Sequence, residues 1–341
     1  MTLLAVDIGR GTQDILVYDP GRPIENCMKM VLPSPTVVVG QRIREAASRG
    51  EGVFLDGFTM GGGGTVQAIS EHLKQGLNVF ATGAAALTIH DNLDRVRALG
   101  IRIVPRQPPG TTLVRTTDYM EAGIRTALGA FGVEFPRHTA FALQDHGFSP
   151  GESNRIHRFR VLEEVLAGAG WQVWALAQDP PLPTMTRMAA LREQAPGSLV
   201  IDTGAAAILG TLCDPWVRER AGEGITLVNA GNAHTFCVNL RGEEICGIFE
   251  HHTASLDRDH LLTLIGKLRE GTLTNEEVFG EGGHGARVNR PHPAGYLAVT
   301  GPNRSRVLPD AYQAAPFGDM MLTGCFGIVR AWLHLRGRVP P

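Results

Sequence analysis

An α/β protein with open sheets flanked by helices, built twice over, is the architecture this sequence predicts. Three observations carry that reading. Apolar runs of strand length alternate with segments of helical period, and several of the strands end in Gly or Asp. The chain opens on a strand-turn-strand at residues 3–19, LLAVDIGRGTQDILVYD. A second three-strand opening begins at residue 225, which suggests an internal duplication too diverged to show as identity.

The first opening holds most of the recognisable chemistry. Leu3, Leu4, Ala5 and Val6 lead into Asp7, and a return strand covers residues 15–18. Gly9 and Gly11 carry no side chain, so the backbone N–H groups of the turn can approach an anion closely. Asp7, at the strand end, can hold Mg²⁺. Thr12 adds a hydroxyl and Asp14 a second carboxylate. The alternative is a plain β-hairpin with a glycine turn.

Composition narrows the class. The chain has 341 residues, 43% hydrophobic and 19% charged, with a formal net charge of −2, which asks for no nucleic acid and no acidic membrane. Its five cysteines, at 27, 213, 237, 246 and 325, form no CxxC or CxxxCxxC cluster, so neither a structural zinc nor a radical-SAM iron–sulfur site is supported. The odd number suggests a reducing compartment. The chain starts directly on a strand, and no apolar run approaches a membrane span, so the expectation is a cytoplasmic protein.

Along the first half, a third strand is expected at 26–31 and a helix at 37–49. A strand at 53–55 ends in Asp56 and opens into Gly61 to Gly64, with Thr65 as N-cap of the next helix. Such a loop can cradle phosphate on a helix N-terminus, or mark a close crossing of backbones. A strand at 78–81, a helix at 85–99 and a strand at 101–104 continue the alternation, and Pro105 to Gly110 make a loop. Thr117 caps a further helix. A strand at 139–143 ends in Gln144-Asp145-His146-Gly147, and a helix carries Ile156, Phe159, Leu162, Val165 and Leu166. Residues 179–183, DPPLP, form a loop before a short helix at 184–194. The strand at 198–201 then runs into Asp202-Thr203-Gly204 and a helix of small residues, which can pack very close to a neighbour.

In the second half, strands at 225–228, 236–240 and 244–249 mirror the opening. A helix at 256–270 follows, with a capping box from Thr274 to Glu277. A flexible loop at 280–285 contains His284. The strand at 296–299 ends in Thr300-Gly301-Pro302-Asn303, and the last helix covers 317–335.

Five of these segments resemble the superfamily of actin, sugar kinases and heat-shock chaperone ATPases, in that superfamily's order. Asp7 to Thr12 resembles its first phosphate motif, and 201–207 the first connecting helix between lobes. Residues 228–235 resemble the second phosphate motif, 299–303 the adenosine motif, and 318–329 the second connecting helix. Within that superfamily the chain looks most like a prokaryotic family labelled pyruvate formate-lyase activating enzyme-like. The resemblance implies two RNase-H-like lobes with mixed sheets, at 1–213 (with inserted β–α units at about 58–116) and 214–341, and Mg²⁺-ATP in the cleft between them. It implies that Gly9, Arg10, Gly11 and Thr12 grip phosphate from one lobe and Gly231, Asn232 and Thr235 from the other. Gly301 and Asn303 would lie against the adenosine, and Asp7 on the metal side.

Phosphoryl transfer also needs a group to accept a proton. Asp56, Asp145 and Asp202 compete for that role. Asp202-Thr203 resembles the Asp-Thr of hexokinase-type members, which favours Asp202 and then Asp145; the alternative is that Asp202 only caps its helix. The expected activity is an Mg²⁺-ATP-dependent phosphotransferase or ATPase acting on a small molecule or protein partner. Asn229 and Ala230 in the second phosphate motif, and Thr300 and Pro302 beside a single adenosine glycine, depart from the pattern. They raise the alternative of a degenerate nucleotide- or phosphate-binding regulator. The spacings of His146, His251, His252 and His284 fit no metal-ligand motif, so these read as surface or cleft-lining side chains. Oligomeric state stays open, with a homodimer among the options.

Overall fold

The computed structural model describes residues 2–179 and 181–339. Of the loop expected at 179–183, Pro180 therefore lies outside the described residues.

The first lobe starts with β1 (Leu3–Ile8), β2 (Thr12–Tyr18) and β3 (Met28–Pro33), an antiparallel meander in which Asp7 pairs with Asp14. Helix α1 (Pro35–Ser48) leads into a separate four-stranded parallel sheet. Its elements are β4 (Gly52–Gly57), α2 (Gly63–Lys74), β5 (Val79–Ala81), α3 (Gly83–Ala86), α4 (Leu93–Ala98), β6 (Arg102–Ile103) and β7 (Thr111–Thr116), in the order β6-β5-β4-β7. After α5 (Glu121–Ala130), β8 (His138–Leu143) returns to lie parallel to β1. Helices α6 (Asn154–Gly168) and α7 (Thr186–Gln194) then precede β9 (Leu199–Asp202). The resulting order is β3-β2-β1-β8-β9.

The second lobe follows α8 (Thr203–Thr211) and α9 (Pro215–Ala221). It contains β10 (Ile225–Ala230), β11 (His234–Arg241), β12 (Glu244–His252), α10 (Arg258–Glu270), α11 (Asn275–Gly280), β13 (Gly285–Val288), β14 (Tyr296–Thr300), α12 (Arg304–Val307), β15 (Tyr312–Gln313) and α13 (Thr323–His334). Its sheet runs β13-β12-β11-β10-β14-β15. With the edge strand β13 set aside, this is the order of the first lobe again: three antiparallel strands, then two parallel to the first. Both lobes are RNase-H-like, and the duplication expected from the two openings is present in the topology.

Helices α8 and α13 cross between the lobes. Helix α8 is apolar on nearly every side and buried from Gly204 to Thr211, as a helix enclosed by other elements must be. The crossing is close because two glycines meet backbone. A Cβ on Gly210 would stand 1.8 Å from the Thr323 carbonyl oxygen, and one on Gly327 1.8 Å from that of Ala206. Around the crossing one apolar core draws on both lobes, with Leu3, Ile208, Leu227, Phe326 and Trp332 almost fully buried. Each such side chain contributes about 1.5–3 kcal/mol on burial, so the lobes share a substantial hydrophobic link as well as their connecting chain.

Local chemistry moves several expected boundaries. The helix expected at 85–99 is two helices, because the Asn92 side chain accepts from Asp94 N and Arg95 N and starts α4 afresh. Thr65 lies inside α2 and its hydroxyl is 3.1 Å from that of Thr36. Thr117 bonds Tyr119 and Gln194 ahead of α5. The segment expected as a helix from 317 becomes α-helical only at Thr323, after Phe317 at φ 53°. Residue Gly285, at the end of the loop expected at 280–285, opens strand β13.

Candidate functional site

The two openings end in matching turns. Gly9 N donates to Thr12 O at 2.9 Å, and Gly231 N donates to His234 O at 3.0 Å. Both are glycines because a Cβ would press on that same carbonyl, at 3.0 and 2.9 Å. The turns face each other across the lobes: a Cβ on Gly11 would stand 3.6 Å from Asn232 Nδ2. Gly9, Arg10, Gly231 and Asn232 line one cleft of about 510 Å³, within the size range of small-molecule sites.

The remaining expected contacts are distributed around these turns. Thr12 begins β2 and is half-buried, with its hydroxyl toward Asp14. Thr235 is fully buried and its hydroxyl lies 3.1 Å from that of Thr253; the residue that occupies the Thr12 position in the second turn is His234. Gly301 adopts φ +92°, and a Cβ there would stand 2.5 Å from Ala230 O. Asn303 donates from its backbone N to Ala230 O and from Nδ2 to Gly231 O, both at 3.0 Å. Gly301 and Asn303 thus brace the second turn from behind.

Asp7 and Asp14 form a carboxyl pair on adjacent strands. Asp7 accepts from the Thr203 hydroxyl at 2.7 Å. Burial, with Asp202 nearby, pushes Asp7 up to about 7, and burial beside Asp7 pushes Asp14 up to about 8. Oδ1 of Asp14 is buried without a hydrogen-bond partner. Gly324 makes room for the pair, since a Cβ there would stand 1.8 Å from Asp7 Oδ2.

The three candidate bases are all engaged. Oδ1 of Asp202 accepts from Gly204 N at 2.9 Å and Ala205 N at 3.3 Å, capping α8, while Oδ2 accepts from Arg158 Nη1 at 2.7 Å. Asp145 accepts from Gly147 N at 2.8 Å and Met188 N at 2.9 Å; it lines the cleft, and burial raises it above the usual carboxylate range. Asp56 sits on β4 in the separate sheet, ion-paired with Arg115.

Several cleft residues had no sequence signal. Arg187 enters from α7, paired with buried Asp118 at 2.7 Å, and its guanidinium fills the space beside Gly61, where a Cβ would stand 2.7 Å from Nη2. Gly61 to Gly63 line the cleft, while Gly64 meets the backbone of α1. The close backbone crossing is thus present at Gly64, and Gly61 to Gly63 face the cavity. Arg158, nearly fully buried, bridges Asp202 and Glu250. Burial alone would raise Glu250; the Arg158 guanidinium and His284 outweigh it and hold the carboxyl well below the usual range. His146, His234 and His284 converge here, one ring nitrogen of each lying within 4.8 Å of the others. Sequence spacing hid them because they arrive on three separate segments.

Two RNase-H-like lobes of one strand order, joined by crossed helices around a cleft with facing glycine turns, define the actin-like ATPase fold. The chain belongs to the family described as "Putative pyruvate format-lyase activating enzyme (DUF1786)", whose model matches residues 60–306. Among solved structures it is similar to the Ppx/GppA family member of Aquifex aeolicus, at 9% identity over 89% of this chain and 67% of that one, TM-score 0.32. It is also similar to a Bacteroides thetaiotaomicron protein with an actin-like ATPase fold, at 7% identity over 88% and 82%, TM-score 0.34. A third is the ROK hexokinase of Thermus thermophilus, at 11% identity over 72% and 48%, TM-score 0.23. No curated protein matches the sequence. The five cysteines are free and buried, and among the described residues no three thiols come together. No helix among those residues is long and apolar enough to cross a membrane.

Proposed function

We propose that this chain binds a nucleotide or related phosphate ester with Mg²⁺ in the interlobe cleft, and acts as a phosphotransferase or ATPase on a small molecule or partner. The observation that carries this reading is the facing pair of turns at Gly9–Thr12 and Gly231–His234, which brings a glycine turn from each lobe to one cavity. Arg10 adds positive charge to its wall, while the charge of Arg187 is met by Asp118.

The residues fit a divalent cation. Asp7 and Asp14 are two buried carboxyls with raised proton affinity, one of them with an orphaned oxygen, and such oxygens are the ligands Mg²⁺ prefers. Asp7 and Asp14 would hold it; bound there, it would neutralise phosphate charge. Thr203 fixes the Asp7 carboxyl, and the α8 N-terminus at Gly204 turns a dipole favourable to the phosphate toward the cleft.

One observation favours a second reading, a phosphate-ligand-binding regulator with slow turnover. Asp202 caps α8 and is ion-paired with Arg158, and Asp145 accepts a backbone N–H at each oxygen, so both carboxylates are held by contacts that compete with a substrate proton. Isothermal titration with ATP, ADP and AMP plus Mg²⁺, followed by phosphate release, separates the two. Turnover that Asp202→Asn abolishes, at affinity within a few fold, supports the enzyme; binding without phosphate release supports the regulator; absence of binding by any of the three contradicts both.

A further inference from the structure

The imidazoles of His146 and His234 line the same cleft, and that of His284 is buried beside them. His146 follows β8 in the first lobe. His234 begins β11 and His284 precedes β13, both in the second lobe. One ring nitrogen from each lies within 4.8 Å of the others. His284 is 1% exposed, yet neither of its ring nitrogens has a hydrogen-bond partner. A buried polar ring with one nitrogen unpartnered and the other meeting only the Glu250 carboxylate, without a hydrogen bond, is costly, and a ligand is the simplest reason for retaining it. Glu250 Oε2 lies 3.2 Å from His284 Nδ1, outside hydrogen-bonding geometry. It is placed to accept that N–H once the ring turns, the outer contact that ligating histidines characteristically make.

We propose that His146, His234 and His284 form a three-imidazole site for a divalent transition-metal ion, bridging the two lobes beside the second phosphate turn. Three nitrogen donors suit zinc, cobalt or nickel and are poor ligands for Mg²⁺, so this site is distinct from the Asp7–Asp14 pair. Ligation at about 2.0–2.1 Å brings the nitrogens closer than they now stand, a movement ring rotation supplies. The Arg158 guanidinium lies near the trio. That guanidinium is itself spanned by the carboxylates of Glu250 and Asp202, so the surroundings do not carry a net positive charge against the ion. With three protein ligands a tetrahedral ion keeps one position open. His146 and His234 both line the cleft, so that position falls to a water molecule or a phosphate oxygen of the bound ester. The inference thus deepens the phosphate-ester reading, and the metal alone tests it.

The experiment is titration of the metal-free full chain with Co²⁺ and Zn²⁺ in the absence of nucleotide, followed by visible and X-ray absorption. The expected result is one equivalent bound, the ligand-field bands of a four-coordinate cobalt site and three imidazoles around zinc. His234→Ala and His146→Asn each weaken binding by tenfold or more, with circular dichroism of the metal-free variants unchanged. His334→Ala, where the ring stacks on Trp174, leaves it intact. No stoichiometric binding, binding the first two substitutions do not alter, or fewer than two imidazoles at the metal would overturn the proposal. Mg²⁺-nucleotide binding retained under any of those results would leave the cleft reading standing.

Discussion

Gly324→Ala tests the Asp7 carboxyl without altering a charge or a contacting residue. The added Cβ would stand 1.8 Å from Asp7 Oδ2 and 2.6 Å from its Cγ. Ordinary contact begins near 3.4 Å, so the carboxylate oxygen must move by about 1.6 Å. Rotation about the Asp7 side chain cannot supply this while the Thr203 hydroxyl stays bonded at 2.7 Å. Losing that bond costs about 1.5–3 kcal/mol, and replacing Gly by Ala in a helix returns about 1 kcal/mol. The net expectation is a fall of about 0.5–2 kcal/mol in urea denaturation. Mg²⁺-nucleotide affinity should fall by about tenfold or more, since tenfold is only 1.4 kcal/mol of misplacement. Gly83→Ala, with no atom within 4 Å of the new Cβ, serves as the neutral control. Wild-type Mg²⁺-dependent affinity in a folded Gly324→Ala protein would refute the assignment of Asp7 to the metal.

Other consequences follow from the same packing. Gly210→Ala and Gly327→Ala each drive a methyl into backbone of the opposing connecting helix, at 1.8 Å. Each should cost about 1–3 kcal/mol by chemical denaturation, as overpacked cores do; an unchanged midpoint would mean the helices separate freely. Arg158→Met leaves the buried Glu250 carboxylate without its partner, and breaking such a pair costs about 3–5 kcal/mol; a loss below 1 kcal/mol would show Glu250 to be neutral or solvated. Zn²⁺ at a hundred times its dissociation constant should stabilise the folded chain by about 2.7 kcal/mol, read as a rise in melting temperature that His284→Ala abolishes.

How much was legible in advance differs by element. The opening hairpin was plain, because an apolar run, a Gly-x-Gly turn and a second apolar run leave little else for the chain to do. The duplication was visible in two three-strand openings, and the small residues of α8 announced the close crossing that Gly210 and Gly327 make. Strand β7 was not visible: TTLVRT follows a Pro-rich loop, and of its residues only Val114 and Thr116 are buried. Four-residue β13 exists through its register with β12, where Gly285 meets Glu250, a partner that local sequence does not name. The break before α4 was decided by one cap, Asn92, against a helical period that continued through it. In the site, the glycine turns were readable because backbone chemistry is local. The engagement of Asp202 was only half readable: its cap lies two and three residues on, but Arg158 arrives from another helix. The histidine trio needed the fold itself, since β8, β11 and β13 converge only after the lobes have assembled.

The most direct measurement is the affinity of Gly11→Asp for ATP in Mg²⁺, by titration calorimetry. The position tolerates a side chain, with Asn232 Nδ2 3.6 Å from a Cβ, so the fold and its denaturation midpoint should be unchanged. A carboxylate placed there faces both turns, and at about 4 Å from a phosphate the repulsion is on the order of several kcal/mol at the effective dielectric of a protein surface. The expected result is a loss of at least tenfold in affinity. Equal affinity in the wild type and Gly11→Asp would show that the facing turns do not hold the phosphates, and would contradict the account at its centre.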